Sequence, residues 1–190
     1  MVSGVIIKEE GIHPTLRLSG GTITSGIPYH RPALLRVVMD LLQPSKGGIY
    51  LDATVGTGGH ASAILEALEG EGLLVCADRD PEALKISMER LRSRNVVFVK
   101  ARFSELPGKL EALGITELHG ALFDLGVSIY QLKSPERGFG FSSEEKLDMR
   151  MDRSGGITAW DVVNTYPEER LLRLIRQYGE EPLAGRIVRA

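Results

Sequence analysis

Between residues 48 and 124, short apolar runs alternate with stretches of helical periodicity, and that order leaves few folds open. The runs are Ile49-Tyr50-Leu51, Leu73-Leu74-Val75-Cys76-Ala77, Val96-Val97-Phe98-Val99 and Ala121-Leu122-Phe123. The second of them is continuously apolar, as strands covered on both faces are. Helical patterns separate the runs, from Ala61 to Leu68, from Pro81 to Leu91 and from Phe103 towards Gly114. The expected fold is therefore α/β, with about four parallel strands joined by right-handed crossovers.

The first strand feeds Asp52-Ala53-Thr54-Val55-Gly56-Thr57-Gly58-Gly59-His60. Glycine lacks a Cβ and tolerates positive φ, so such a turn lets backbone approach a ligand closely. It also stands beyond the carboxyl end of a strand, where open parallel sheets bind ligands. Gly56 and Gly58 fit the first two positions of a dinucleotide fingerprint, and Ala61 fits its looser third. Asp52, with glycines four and six residues later, is more similar to the first motif of S-adenosylmethionine (SAM) methyltransferases. SAM carries a carboxylate, an ammonium and a sulfonium, and no phosphate. An acid beside the turn suits the ammonium, and free backbone N–H groups suit the carboxylate. The plainer alternative is a tight turn with no ligand.

Three further positions at strand ends carry candidate chemistry. Asp78 closes the second strand, where an acid can accept both hydroxyls of a ribose. The alternative is a helix N-cap, which Asp80 can provide at least as well. Phe103 follows the third strand, and its ring can cover an adenine or simply pack. Asp124 ends the fourth strand. Strands one and four are neighbours in this fold, so Asp124 is expected to face the glycine turn. An amine conjugated to an aromatic ring is a poor nucleophile, because its lone pair is delocalised. Acceptors for its N–H protons help localise that pair, and in-line placement supplies much of the rest. A helix cap is the other role open to Asp124.

From Gly126 the alternation stops. Thr158 reads as an N-cap for Ala159 to Val163, and Pro167-Glu168-Glu169 as the start of a helix that Gly179 ends. Pro182 to Ala190 is a further helical stretch. Arg137-Gly138-Phe139-Gly140-Phe141 offers rings for a flipped base and an arginine for phosphate, or else a loop anchored by its aromatics. Asp148-Met149-Arg150-Met151-Asp152 reads as a turn with internal ion pairs. His60 reads as a helix-start residue, and His13 and His119 lack partners for metal binding. Ahead of the sheet, Pro32 suits the first turn of a helix whose apolar face is Leu34, Leu35, Val38, Leu41 and Leu42. Residues 1–28 read as a leader, expected to be mobile or a loose hairpin.

Composition bounds the partners. A net charge of −2 over 190 residues argues against a strongly basic nucleic-acid binder, though not against a local arginine patch. The single cysteine, Cys76, forbids an internal disulfide and fits a reducing, cytoplasmic setting. No run is long enough to span a membrane.

Together these segments resemble one family, the bacterial 16S rRNA cytosine-N4 methyltransferases. The resemblance rests on His30-Arg31-Pro32, Tyr50 to His60, Asp78-Arg79-Asp80-Pro81, Asp124 to Ser128 with Gln131-Leu132, Glu136 to Phe141, Leu147 to Asp152 and Tyr178-Gly179-Glu180-Glu181. It implies a Rossmann-like core over residues 29–126 and a helical substrate-recognition insertion over 127–190, both incomplete. It implies SAM as cofactor, with contacts at Gly58, Gly59, His60, Asp78, Phe103, Asp124 and Gln131, and no metal. Asp124 would also orient the target amine. The implied partner is 16S ribosomal RNA in the small subunit. Two motifs depart from the family pattern. Ser128-Ile129-Tyr130-Gln131 stands for its Ser-Ser-Pro-Gln, and Gly140 stands for a serine. Family members also continue past the length seen here, so the chain is expected to be the N-terminal part of a longer enzyme. Strand four would then have an open edge, to be covered by self-association, by the leader or by a second chain. The alternative function is a non-catalytic SAM-binding or ribosome-assembly module.

Overall fold

The structure, a computed structural model, describes residues 32–141 and 144–190, so the expected leader lies outside the described residues. The chain divides into two compact units, residues 1–130 and 131–190.

In the first unit, four strands form one parallel sheet: β1 (Ile49–Asp52), β2 (Leu73–Asp78), β3 (Val96–Lys100) and β4 (Gly120–Leu122), in the order β3-β2-β1-β4. The register pairs Leu51 with Val75 and with Ala121, and Ala77 with Val99. The expected adjacency of the first and fourth strands is present. Strand side chains alternate between two separate cores. Tyr50, Leu74, Cys76, Val96 and Phe98 pack with Ile64 and Leu68 of α2 (Gly59–Leu68) and Leu84 of α3 (Pro81–Arg90). Leu51, Val75, Ala77, Val97 and Val99 pack on the other face with Leu106 of α4 (Leu106–Ala112) and with Ile115. The strand runs lack polar alternation because helices cover both faces. Cys76 is fully buried in the first core, and burial pushes its thiol well above the usual range.

The helix ahead of the sheet, α1 (Leu35–Leu42), differs from expectation. Pro32 lies before it, and Leu34 adopts a left-handed conformation, φ 51°, which excludes both from the helix. Leu34 and Leu41 point to solvent, at 73% and 81% exposure. Leu42 packs against the core as expected, together with Met39, which the expected face omitted. Pro32 has another role: a Cβ on Gly59 would lie 3.1 Å from its ring, so the proline packs directly on the glycine turn.

The second unit is helical, with α5 (Ile129–Lys133) entering it, then α6 (Ala159–Thr165), α7 (Glu168–Gly179) and α8 (Ala184–Arg189). Thr158 caps α6 in a reciprocal box. Its hydroxyl accepts the Asp161 N–H (3.0 Å), and the Asp161 carboxylate accepts the Thr158 N–H (2.9 Å). The end of α7 falls one residue later than expected. Gly179 is still helical, and Glu180 takes the left-handed position at φ 51°.

Candidate cofactor site

The site forms where β1, β2 and β4 release the chain at their carboxyl ends. After β1 the backbone leaves the sheet through a turn held on both sides. The Ala53 N–H donates to the Leu122 carbonyl of β4, and the Val55 N–H to the Ala77 carbonyl of β2, each at 2.9 Å. Gly56, at φ 50°, aims its N–H at Asp78 Oδ2, 2.9 Å away. Gly58 takes φ 79° as the residue before α2. Gly58 has no side chain with which to cap α2, so among the described residues the N–H groups of its first turn have no side-chain cap and are donors for an acceptor of another kind.

Acids gather beside these donors. Asp52 is 1% exposed. Its Oδ1 accepts the Thr54 N–H (3.2 Å), while its Oδ2 is buried with no hydrogen-bond partner among the described residues. Burial raises its pKa to about 7, against the opposing Thr54 hydrogen bond and with help from the charges of Asp78 and Asp124. Asp78 is also shifted upward, chiefly by burial. It accepts the Gly56 and Asp80 N–H groups, both at 2.9 Å, and so holds the turn shut. The N-cap of α3 is Asp80, which accepts the Glu82 N–H. The capping alternative for Asp78 therefore falls away.

Asp124 is half exposed, and its N–H donates to Thr54 Oγ1 at 2.8 Å, which ties the β4 end to the glycine turn. His60 is buried in the first turn of α2. Its Nε2 lies 3.0 Å from the Ala33 carbonyl. A carbonyl only accepts, so Nε2 carries the hydrogen. His60 Nδ1 then faces Asp124 Oδ2 at 3.9 Å, beyond hydrogen-bond length. Phe103 opens a single 3-10 turn (Phe103–Glu105), and its half-exposed ring makes an edge-to-face contact with Phe123.

The structure thus brings Gly58, Gly59, His60, Asp78, Phe103 and Asp124 into one unit, around the strand ends. Gln131 belongs to the second unit, where it is buried on α5. Two groups were not among the candidates. Thr54 gave no signal in sequence, since a threonine in a turn is ordinary. Phe123 was read only as a strand residue, and in fact it lies one position past β4, at 47% exposure.

The arginine reading in the second unit needs correction. Arg137 is fully buried, and its guanidinium donates to the carbonyls of Arg150 and Met151 (3.2 and 2.7 Å), so it braces a loop and is not presented to phosphate. Asp148 and Arg150 form the expected internal ion pair, fork to fork, with both bonds at 2.8 Å. Among the described residues, no cluster of His, Cys, Asp or Glu can hold a metal ion, and no helix is long and apolar enough to cross a membrane.

The chemistry of the crevice is that of a zwitterion site. Buried acceptors stand next to backbone donors, with Asp78 at the end of β2 and the Phe103 ring beyond β3. An amino-acid end bearing both ammonium and carboxylate fits it, and the orphaned Asp52 Oδ2 is the atom that such an ammonium would satisfy.

Comparison with known proteins follows this geometry. The sequence profile of the MraW methylase family matches residues 28–190. The protein named ribosomal RNA small subunit methyltransferase H in Caldicellulosiruptor bescii is 46% identical over 162 residues, covering 85% of this chain and 53% of that one. Its namesake in Thermobifida fusca is 47% identical over 171 residues, covering 87% and 52%. The chain thus spans about half the length of the curated relatives it matches. Among solved structures, NSun6 from Pyrococcus horikoshii overlaps 60% of this chain and 28% of its own, at 23% identity and TM-score 0.40.

Proposed function

Because the chain belongs to the MraW methylase family, we propose that it serves SAM-dependent methyl transfer to the N4 amine of a cytosine in 16S ribosomal RNA. The observation that carries the reading is the buried, unpartnered Asp52 carboxylate oxygen beside the uncapped start of α2. Leaving such an acceptor dry costs on the order of 1–3 kcal/mol, so its persistence points to a ligand donor. SAM, when bound, supplies an electrophilic methyl group on a sulfonium.

The chain's own residues then divide the work. Asp52 accepts from the ammonium, and the N–H groups around Gly58, Gly59 and His60 receive the carboxylate. Asp78 accepts from ribose hydroxyls, and Phe103 covers the adenine. Asp124 accepts an N–H of the target amine and holds its lone pair in line. Its half-exposed side chain is held in place through its backbone N–H, with His60 Nδ1 3.9 Å from one carboxylate oxygen, and the carboxylate reaches solvent for that task. Gln131 joins the cofactor contacts on the strength of its motif. The partner is the small ribosomal subunit, the setting cytoplasmic. The β4 edge is the surface through which a second copy or further chain would extend the sheet.

The test is calorimetric titration with SAM, beside NAD as a control. Saturable SAM binding that disappears in Asp78→Ala supports the reading. Transfer of labelled methyl to small-subunit RNA, reduced in Asp124→Asn far beyond any fall in SAM affinity, supports the amine-orienting role of Asp124. Binding of NAD in place of SAM would sink the assignment.

A further inference from the structure

Phe103 and Phe123 come from opposite sides of the sheet. Phe103 follows β3 at one edge, and Phe123 follows β4 at the other, with β2 and β1 between them. Three strand spacings separate β3 from β4, about 14 Å. Yet the two ring centroids are 5.3 Å apart, with planes at 75°, an edge-to-face contact. The rings therefore meet over the carboxyl ends of the two central strands, where Asp52 and Asp78 stand. Both are half exposed, at 49% and 47%, although apolar rings of this size gain most from full burial.

We infer that Phe123 is a positioning residue that fixes the plane of the Phe103 ring for a stacked adenine. The inference rests on the reading of the crevice as a SAM site and adds to it a residue outside the motif contacts. A half-exposed ring on a short 3-10 turn has rotational freedom, and stacking a base on it requires that freedom to be lost. The edge-to-face contact with Phe123 removes it beforehand, and preorganisation of this kind appears as affinity. Phe123 also neighbours Asp124, so the backbone that aims the target-amine acceptor carries the brace as well.

The experiment is a double-mutant cycle on SAM affinity, with adenosine as a second probe and a thermal melt to confirm folding. Phe123→Ala is expected to weaken both ligands about three- to tenfold, the span of an aromatic pair. Phe123→Tyr, which keeps the ring edge, should restore binding, while Phe123→Leu, similar in bulk, should not. In a Phe103→Ala background, Phe123→Ala should add nothing further, because its effect runs through that ring. Unchanged SAM affinity in a folded Phe123→Ala protein would overturn the inference, as would additive losses or full rescue by leucine. Lost methyl transfer at intact SAM affinity would also overturn it, assigning the ring to the target base. If SAM binding is present and Asp78-dependent while Phe123→Ala is neutral, only this inference fails. If the unmutated protein binds neither SAM nor adenosine, the cofactor reading falls and takes this one with it.

Discussion

Two aspartates illustrate opposite uses of burial. Asp148, in the second unit, is 7% exposed and fully answered: Arg150 grips both oxygens, the Arg150 N–H adds a third bond, and Arg153 stands 3.6 Å away. The Arg150 hydrogen bonds pull its pKa down to about 2. Asp52, in the first unit, is more deeply buried, at 1% exposure, and nearly unanswered. It has one backbone donor and no cation within ion-pair reach among the described residues, and burial raises its pKa to about 7 with a smaller push from the charges of Asp78 and Asp124. One carboxylate is completed by the fold, and the other is left for something the chain does not contain. Satisfied charge holds structure, and unsatisfied charge held in place is a binding surface waiting for its counterpart.

The sharpest way to break this contrast is by pH. Asp52 is raised above its unfolded value, so its contribution to stability is fully present below about pH 4 and is lost as pH rises through about 7. Asp52→Asn should remove that dependence and stabilise the protein at pH 8 by up to on the order of 4 kcal/mol, read by urea unfolding. The same substitution should abolish SAM binding. In the unmutated protein SAM affinity should rise with pH through about 7, since an ammonium favours the ionised acid. A flat affinity profile would mean that Asp52 does not meet the ligand's charge.

Asp148→Ala should go the other way and cost about 2–3 kcal/mol at neutral pH, because it strips charged hydrogen bonds from a buried turn. Asp148 is depressed, so its contribution is present above about pH 4 and disappears as pH falls through about 2. An acid titration of unmutated and substituted protein should converge there. SAM affinity should not respond to this change if the carboxylate is purely structural.

Gly58→Ala tests whether the turn's geometry matters apart from its charges. Gly58 sits at φ 79°, with a Leu91 side-chain atom 3.2 Å from where a Cβ would go. A loss of about 1–2 kcal/mol is expected, with a larger fall in SAM affinity as the α2 donors shift. The smallest effect belongs to Phe141, whose ring is fully exposed in the same unit as the Asp148 turn. Phe141→Ser should change stability by no more than about 0.5 kcal/mol. Weaker binding to small-subunit RNA at unchanged stability would give that ring a part in base contact.

Much of the fold was legible in the sequence because strand burial on both faces suppresses polar alternation, and helices with ordinary caps break it up. The four strands, the crossover order, the Asp80 and Thr158 caps and the Asp148–Arg150 pair all follow from local pattern. The first helix was less legible. Leucines at helical spacing look alike whether they face the core or solvent, and Leu34 and Leu41 face solvent. Arg137 was misread for a related reason: an arginine among glycines reads as exposed, and only the folded loop offers it carbonyls to bind.

What the sequence determined by itself was the kind of sheet, the position of the glycine turn and the acids at the strand ends, since these depend on spacing along the chain. Tertiary structure alone decided which oxygen of Asp52 would be left without a donor, that Thr54 would hold Asp124, and that rings from opposite sheet edges would meet. Those facts depend on distances between residues far apart in sequence, 70 positions for Thr54 and Asp124. No local propensity encodes such distances, and only packing of the whole sheet sets them.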